Sequence, residues 1–297
     1  MGVKSKQEKA FTRAAHIVLI ILSVLAVIPF WLLIASSFTD EQAAVTWGYQ
    51  FWPKAFSTEA YQYILRQWGQ IGHAYGVTLL VTAIGTTMAI LFVSMFAYGL
   101  IQKDIPGMRV IFLLVLLTIL FSGGIVPTYY VYTNALHVKN TIWGLIFPNL
   151  LMNGFTVILV KNYFENNIPK ELIEAAEVDG ANHVCILFRM VMPLSKPILA
   201  TIGLLTGISY WNDWNNGLYY ITNENLFSIQ QLLNKMNENI QFLASNAASL
   251  GNINVGTMPS NTVRMAIAVV AILPILVLYP FFQKYFAKGI TMGAVKG

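Results

Sequence analysis

Six long apolar runs decide what this chain can become. They cover residues 14–38, 75–101, 109–132, 141–164, 195–221 and 262–286. A helix needs about 20 mostly apolar residues to cross the hydrocarbon core of a bilayer. All six qualify, and the sequence predicts an all-α integral membrane protein of six transmembrane helices in one domain over residues 1–297. The fifth run is the weakest, because polar residues crowd its second half. Prolines 29, 127, 148, 274 and 280 fall inside the runs, where bundled membrane helices tolerate them.

Charged residues make up 10% of the chain, against about 25% in an average soluble domain. The net charge of +5 does not mark a nucleic-acid surface, because the bases stand at the ends of the apolar runs and form no single patch. A lone cysteine, Cys185, excludes an intrachain disulfide framework and reads as a small packing residue. The first run is too long for a signal peptide and lacks a small-residue cleavage site, so it reads as a retained anchor. With the N-terminus inside, 13 of the 18 Lys and Arg residues fall on the cytoplasmic side. Both termini are therefore expected in the cytoplasm.

That orientation leaves two large external loops, 39–74 and 222–261, and one cytoplasmic loop, 165–194. The first external loop carries Trp47, Trp52 and several tyrosines, suited to docking or to an aromatic belt at the membrane surface. In the second, Ile229, Leu232, Leu233, Met236, Ile240 and Leu243 share one helical face. That amphipathic helix could lie on the membrane, pack on its own bundle or meet a partner. Residues 244–260, rich in Gly, Asn and Ser, read as a loop.

The cytoplasmic loop reads ELIEAAEVDGANHVCILFRMVMPLSKP over residues 171–197. Pro169 stands near a helix start, and Glu171 and Glu174 favour an N-terminal turn. Asp179 and Gly180 form a stop. A second short helix is expected over about 182–191, with Pro193 and Pro197 leading into the fifth run. A helical hairpin under the membrane follows, with small residues and a few carboxylates on its surface. From the residues alone it is either a solvated loop or a piece shaped for a groove in another protein.

Glu174-Ala175-Ala176, three residues, Gly180, nine residues and an apolar element ending in Pro193 resemble the EAA loop of ABC importer permeases. The family pattern ends in Ile-x-Leu-Pro where this chain has Met190-Val191-Met192-Pro193, a conservative change. FWPKAFSTEAYQYIL after the first run, SYWNDW in the fifth and the tail KGITMGAVKG are similar to the MalG-like permeases of type I carbohydrate importers, and to their LplC and YtcP subgroup in particular. The resemblance implies a six-helix permease subunit whose hairpin is the coupling helix docked in an ATPase cleft. On that reading Glu174 bears on polar groups of the ATPase, Ala175 and Ala176 allow close approach, and Asp179 and Gly180 make the turn. The tail from Lys288 would reach toward the ATPase dimer interface; without the resemblance it reads as disordered.

The sequence has no Gly-x4-Gly-Lys-[Ser/Thr] loop, so ATP and its magnesium are expected on partner subunits, with no cofactor on this chain and no enzyme activity of its own. The four histidines lack ligand spacing, and no metal site is expected. In the fifth run, Tyr210, Trp211 and Asn212 offer aromatic faces and amides, the chemistry that holds sugars. They stand as translocation-path candidates, against an interfacial cluster or a contact with a second permease. Asp213 is a weaker candidate. Asn149 and Asn153, four apart, are expected on one helix face, lining the path or bonding between helices. Gly123, Gly124 and Pro127 suggest a kink.

The expected partners are a second permease in a heterodimer, two ATP-binding subunits and an external sugar-binding protein, at a prokaryotic plasma membrane. The expected cargo is an oligosaccharide or a modified sugar, moved by alternating access. Rival readings are the same machine carrying a polyol, glycerol phosphate or a peptide, an ion-coupled secondary transporter, or a membrane glycosyltransferase. Intramembrane acids are nearly absent, Asp213 excepted, which disfavours the last two.

Overall fold

A computed structural model describes residues 6–102, 105–246 and 260–294. Helices come in the order α1 (Lys6–Ser37), α2 (Glu41–Trp47), α3 (Glu59–Arg66), α4 (Trp68–Ile101), α5 (Met108–Leu120), α6 (Ile125–Tyr130), α7 (Trp143–Ile146), α8 (Gly154–Asn167), α9 (Lys170–Val178), α10 (His183–Ile186), α11 (Met192–Leu194), α12 (Lys196–Trp211), α13 (Asn215–Tyr220), α14 (Ile229–Asn246) and α15 (Ser260–Ala294). Single π-turns follow α6 and α10. Among the described residues the one extended pairing is an isolated bridge between Thr39 and Phe56.

The apolar runs are cut more finely than hydropathy implies. Within α1 the apolar part Phe11–Ser37, and α4 as a whole, are each long and apolar enough to cross a membrane alone. The third run breaks between α5 and α6, with a bend of 120°. The fourth is the short α7, an irregular stretch and then α8. The fifth is entered through a bend of 84° between residues 183–194 and α12. Proline explains the cut in the fourth run: Pro148 offers no N–H and its ring crowds the preceding turn. The tail lies in α15 as far as Ala294, and residues 295–297 lie outside the described residues. So does most of the loop read at 244–260.

Two compact units result. Residues 1–69 and 235–273 form the first. In it α1 ends in a knot of side chains. Phe38 stacks on Phe56 and Tyr61, and Ser37 shares a hydrogen bond with the Tyr61 hydroxyl at 2.8 Å. Trp31 donates Nε1–H to the Phe51 carbonyl at 3.1 Å and meets Trp52 edge-on. The aromatic loop therefore folds back along α1. Asp40 caps α2, its carboxylate accepting from the Ala43 N–H. Glu41 caps a different helix: its carboxylate accepts from the N–H groups of Asn261 and Thr262 and from both their side chains, at 2.7–3.0 Å.

Residues 70–234 and 274–297 form the second unit, with two apolar cores. One gathers the C-terminal half of α4 (Val93, Ala97, Tyr98), α8 (Val157, Val160, Phe164), the hairpin (Ala176, Ile186, Leu187, Val191) and the first turns of α12 (Ile198, Leu199, Ile202). The other lies round Tyr210, Tyr220, Leu145, Ile146 and Val77.

Candidate functional site

The hairpin over 170–194 is built by local rules. Pro169 is the N-cap of α9, its fixed φ of −60° suiting that place. At the other end the Ala181 N–H donates to the Ala176 carbonyl and the Gly180 N–H to the Glu177 carbonyl, both at 2.9 Å. This is a Schellman turn, and its pivot Gly180 has φ +84°. Asn182 then caps α10 by accepting from the Cys185 N–H at 2.8 Å. Pro193 and Pro197 each stand in the first turn of a helix, α11 and α12.

This geometry divides the EAA residues into two groups. Ala176, expected on the docking face, is 8% exposed and belongs to the core that joins α4, α8 and α12. Its place in the Schellman turn points it inward, which corrects the expectation. Glu174, Ala175, Asp179 and Gly180 are exposed, as is Pro193. Val178 is 89% exposed beside them. The outer face is thus a small alanine and an apolar valine flanked by carboxylates. Its inner face is fused to the bases of three long helices.

Two residues of the fifth run's polar cluster, Tyr210 and Asn216, are engaged with backbone carbonyls of the fourth run. Tyr210 is buried, and its hydroxyl donates to the Ile146 carbonyl at 2.8 Å. Its ring lies so close to Gly85 that a Cβ there would stand 2.5 Å from Cζ. Asn216, which the sequence reading passed over, is buried and donates to the Pro148 carbonyl at 2.9 Å. Tyr132 donates to the Phe147 carbonyl at 3.4 Å. Three successive carbonyls, from the end of α7 at Ile146 through Pro148, each receive a side-chain donor, and that of Pro148 also takes the Leu150 N–H at 2.8 Å. Lipid offers them none. The sequence signal for Asn216 was slight: an amide three residues after Asp213, near the end of an apolar run.

Trp211 is also buried, its ring centroid 6.3 Å from that of Tyr75. Asn212 is exposed and accepts from the Gln230 amide at 3.4 Å. Asn149 and Asn153 do not share a helix face, because no helix runs through them. Asn149 is exposed in a left-handed conformation with φ +61°, and Asn153 caps α8 through the Phe155 N–H at 2.8 Å. The break at Pro148 is the cause. Asp213 receives the Asn216 N–H at 3.3 Å.

Polar clamps hold the segments that follow. Asn140, at φ +56°, accepts at Oδ1 from the N–H groups of Thr222 and Asn223. His73 meets the Asn225 carbonyl at 2.7 Å, and Thr78 accepts the Ile229 N–H at 2.9 Å. Ile229, Gln231 and Leu232 are buried, so the first turn of the amphipathic α14 packs on its own chain. Among the described residues no group of three His, Cys, Asp or Glu side chains could hold a metal ion.

Residues 105–292 match the family of binding-protein-dependent transport system inner membrane components. The chain belongs to this family. As a permease it is 37% identical to the polygalacturonan/rhamnogalacturonan transport system permease protein YtcP of Bacillus subtilis, over 94% of this chain and 96% of that one. It is 34% identical to Protein LplC of the same organism, over 93% and 91%. In structure the permease resembles a chain of a bacterial ABC transporter involved in the import of the acidic polysaccharide alginate. The TM-score is 0.79 at 28% identity, over 96% of this chain and 100% of that one. Each of these three likenesses covers more than nine-tenths of the permease, and they agree with the type I importer fold that the resemblance implied.

Proposed function

We propose that this permease is one half of the membrane pathway of an ATP-driven importer for an oligosaccharide or modified sugar, working by alternating access. A second permease completes the pathway. Two ATP-binding subunits hold ATP and magnesium, and an external binding protein delivers the cargo. The six runs cross the plasma membrane with both termini inside, and residues 165–194 form the coupling loop. The observation that carries the reading is the hairpin: its outer face is exposed, while its inner face shares a core with α4, α8 and α12. Glu174, Ala175, Asp179 and Gly180 meet the ATPase, and closure of the ATPase pair is passed to the helices as a rigid-body movement. The permeases with named sugar cargoes to which this chain is similar support a carbohydrate. Asn212 and Asn149, both exposed, remain candidates for the path.

The test is co-purification. The permease is expressed with its chromosomal neighbours and isolated in detergent, and ATP hydrolysis is measured with binding protein loaded with galacturonate or arabinose oligomers. A complex with a second permease and an ATPase, stimulated by one loaded sugar, is the expected result. A chain that purifies alone and takes up solute on an ion gradient would overturn the reading.

A further inference from the structure

Helix α1 is left bare by the rest of the described residues: none of its most apolar stretch is buried. On one face, Ser23, Val24, Val27, Ile28 and Trp31 line a slot of about 380 Å³ that Phe51 of the aromatic loop completes. Its walls are wholly apolar. The two polar groups on them are already used: the Ser23 hydroxyl donates to the Leu19 carbonyl at 2.8 Å, and the Trp31 N–H to the Phe51 carbonyl. A sugar or a peptide would bury its polar groups there without a partner.

The size of the slot separates the apolar occupants. From Ser23 to Trp31 the helix rises by about 12 Å, which gives the slot a mean cross-section of about 30 Å². A helix with its side chains is about 10 Å across and needs more than twice that section. A single hydrocarbon chain fits; a helix of a second permease does not.

The surroundings favour a lipid as the source of that chain. Trp31 and Trp52 meet edge-on at one end of the slot, and such rings settle at the headgroup level of a bilayer. From them the slot runs toward the middle of α1, where Val24 and Val27 lie. Lys54 follows Trp52 by two residues, exposed, with its ammonium 3.8 Å from the centroid of the Trp47 ring. It is the one Lys or Arg between residues 14 and 65. A cation this close along the chain to the aromatic pair suits a lipid phosphate.

We infer that the slot holds one acyl chain of a phospholipid, in the leaflet around the C-terminal half of α1, with the Lys54 ammonium paired to its phosphate. The chain fills the space between α1 and Phe51 and so props the aromatic loop in its folded-back place. The inference needs α1 to cross a bilayer and does not depend on the cargo.

The test uses the whole complex, loaded with phosphatidylglycerol brominated in mid-chain and then passed into mild detergent so that only held lipid remains. Native mass spectrometry counts that lipid, and quenching of tryptophan emission by bromine reports its chain beside Trp31. The double variant Val24→Phe, Val27→Phe fills the slot, and Phe51→Ala opens it. The expected result is one phospholipid held by the permease with quenched emission. In both slot variants retention falls about tenfold, the equivalent of two lost methylene contacts, and the quenching goes with it. Lys54→Gln lowers retention about fivefold. A parent that holds no lipid, or slot variants that hold it as the parent does, would overturn the inference. So would a structure of the complex in which the second permease fills the slot. Retention unchanged by Lys54→Gln would overturn the pairing with phosphate.

Discussion

The carboxylate of Glu41 closes on Thr262 from two sides, accepting its N–H at 2.9 Å and its hydroxyl at 2.7 Å. The other oxygen takes the N–H and amide of Asn261. An ionised acceptor at the amino end of a long helix satisfies otherwise unpaired donors and matches the helix dipole. Glu41→Ala should destabilise the first unit by about 2 kcal/mol, the sum of a lost cap and charge-assisted bonds. Thermal melting of the purified permease checks this. Glu41→Gln, which keeps the shape but not the charge, should recover part of the loss.

Neighbouring alanines in the hairpin should respond in opposite ways. Ala175→Trp falls on the exposed face and should change stability by no more than about 0.5 kcal/mol, while cutting uptake more than tenfold. Ala176→Leu falls in the core and should cost about 1–3 kcal/mol by overpacking. Yield and melting temperature separate the two. Normal uptake by the Ala175 variant would remove that face from the coupling surface.

Gly180→Ala probes the turn by itself. Nothing stands within 4 Å of a Cβ there, so the cost is that of a left-handed backbone alone, about 1–2 kcal/mol. Gly180→Asn should cost less, because Asn tolerates this conformation. Hydrogen exchange at the Ala181 amide reports whether the Schellman turn has loosened.

Asn216→Ala removes one of the two donors to the Pro148 carbonyl, the Leu150 N–H remaining, and should cost about 0.5–1.5 kcal/mol. Tyr210→Phe should cost about 1–3 kcal/mol at Ile146. Gly85→Ala forces the Tyr210 ring to move and should cost about 1–3 kcal/mol by overpacking. The double variant Gly85→Ala, Tyr210→Phe should lose less than the sum of its parts, because both changes act on one ring. Denaturation midpoints of the four proteins complete the cycle.

The hairpin was legible because its determinants are local. Asp179-Gly180, Asn182 and the two prolines fix turns within a few residues of themselves. The break in the fourth run was not, although Pro148 lies in it. Hydropathy counts apolar residues and is blind to the conformation that joins them. Reading Asn149 and Asn153 on one face assumed a helix that Pro148 ends. Tyr210 was read as a path residue because an aromatic beside amides suits a sugar and suits a backbone carbonyl equally well. Which one it serves depends on Gly85 and Ile146, both remote in sequence. The inward turn of Ala176 was likewise hidden: Glu-Ala-Ala names the residues but not which alanine ends up at the pivot's inner side.

The capped break also bears on how the chain is made. Ile146 and Pro148 leave the ribosome 64 and 68 residues ahead of the side chains that satisfy them, Tyr210 and Asn216. The Pro148 carbonyl has a local donor in the Leu150 N–H, but until Tyr210 arrives only water can serve the Ile146 carbonyl, and the bilayer core holds none. The expected consequence is that the fourth segment enters lipid only after the fifth has emerged, which crosslinking of nascent chains of increasing length to lipid would check.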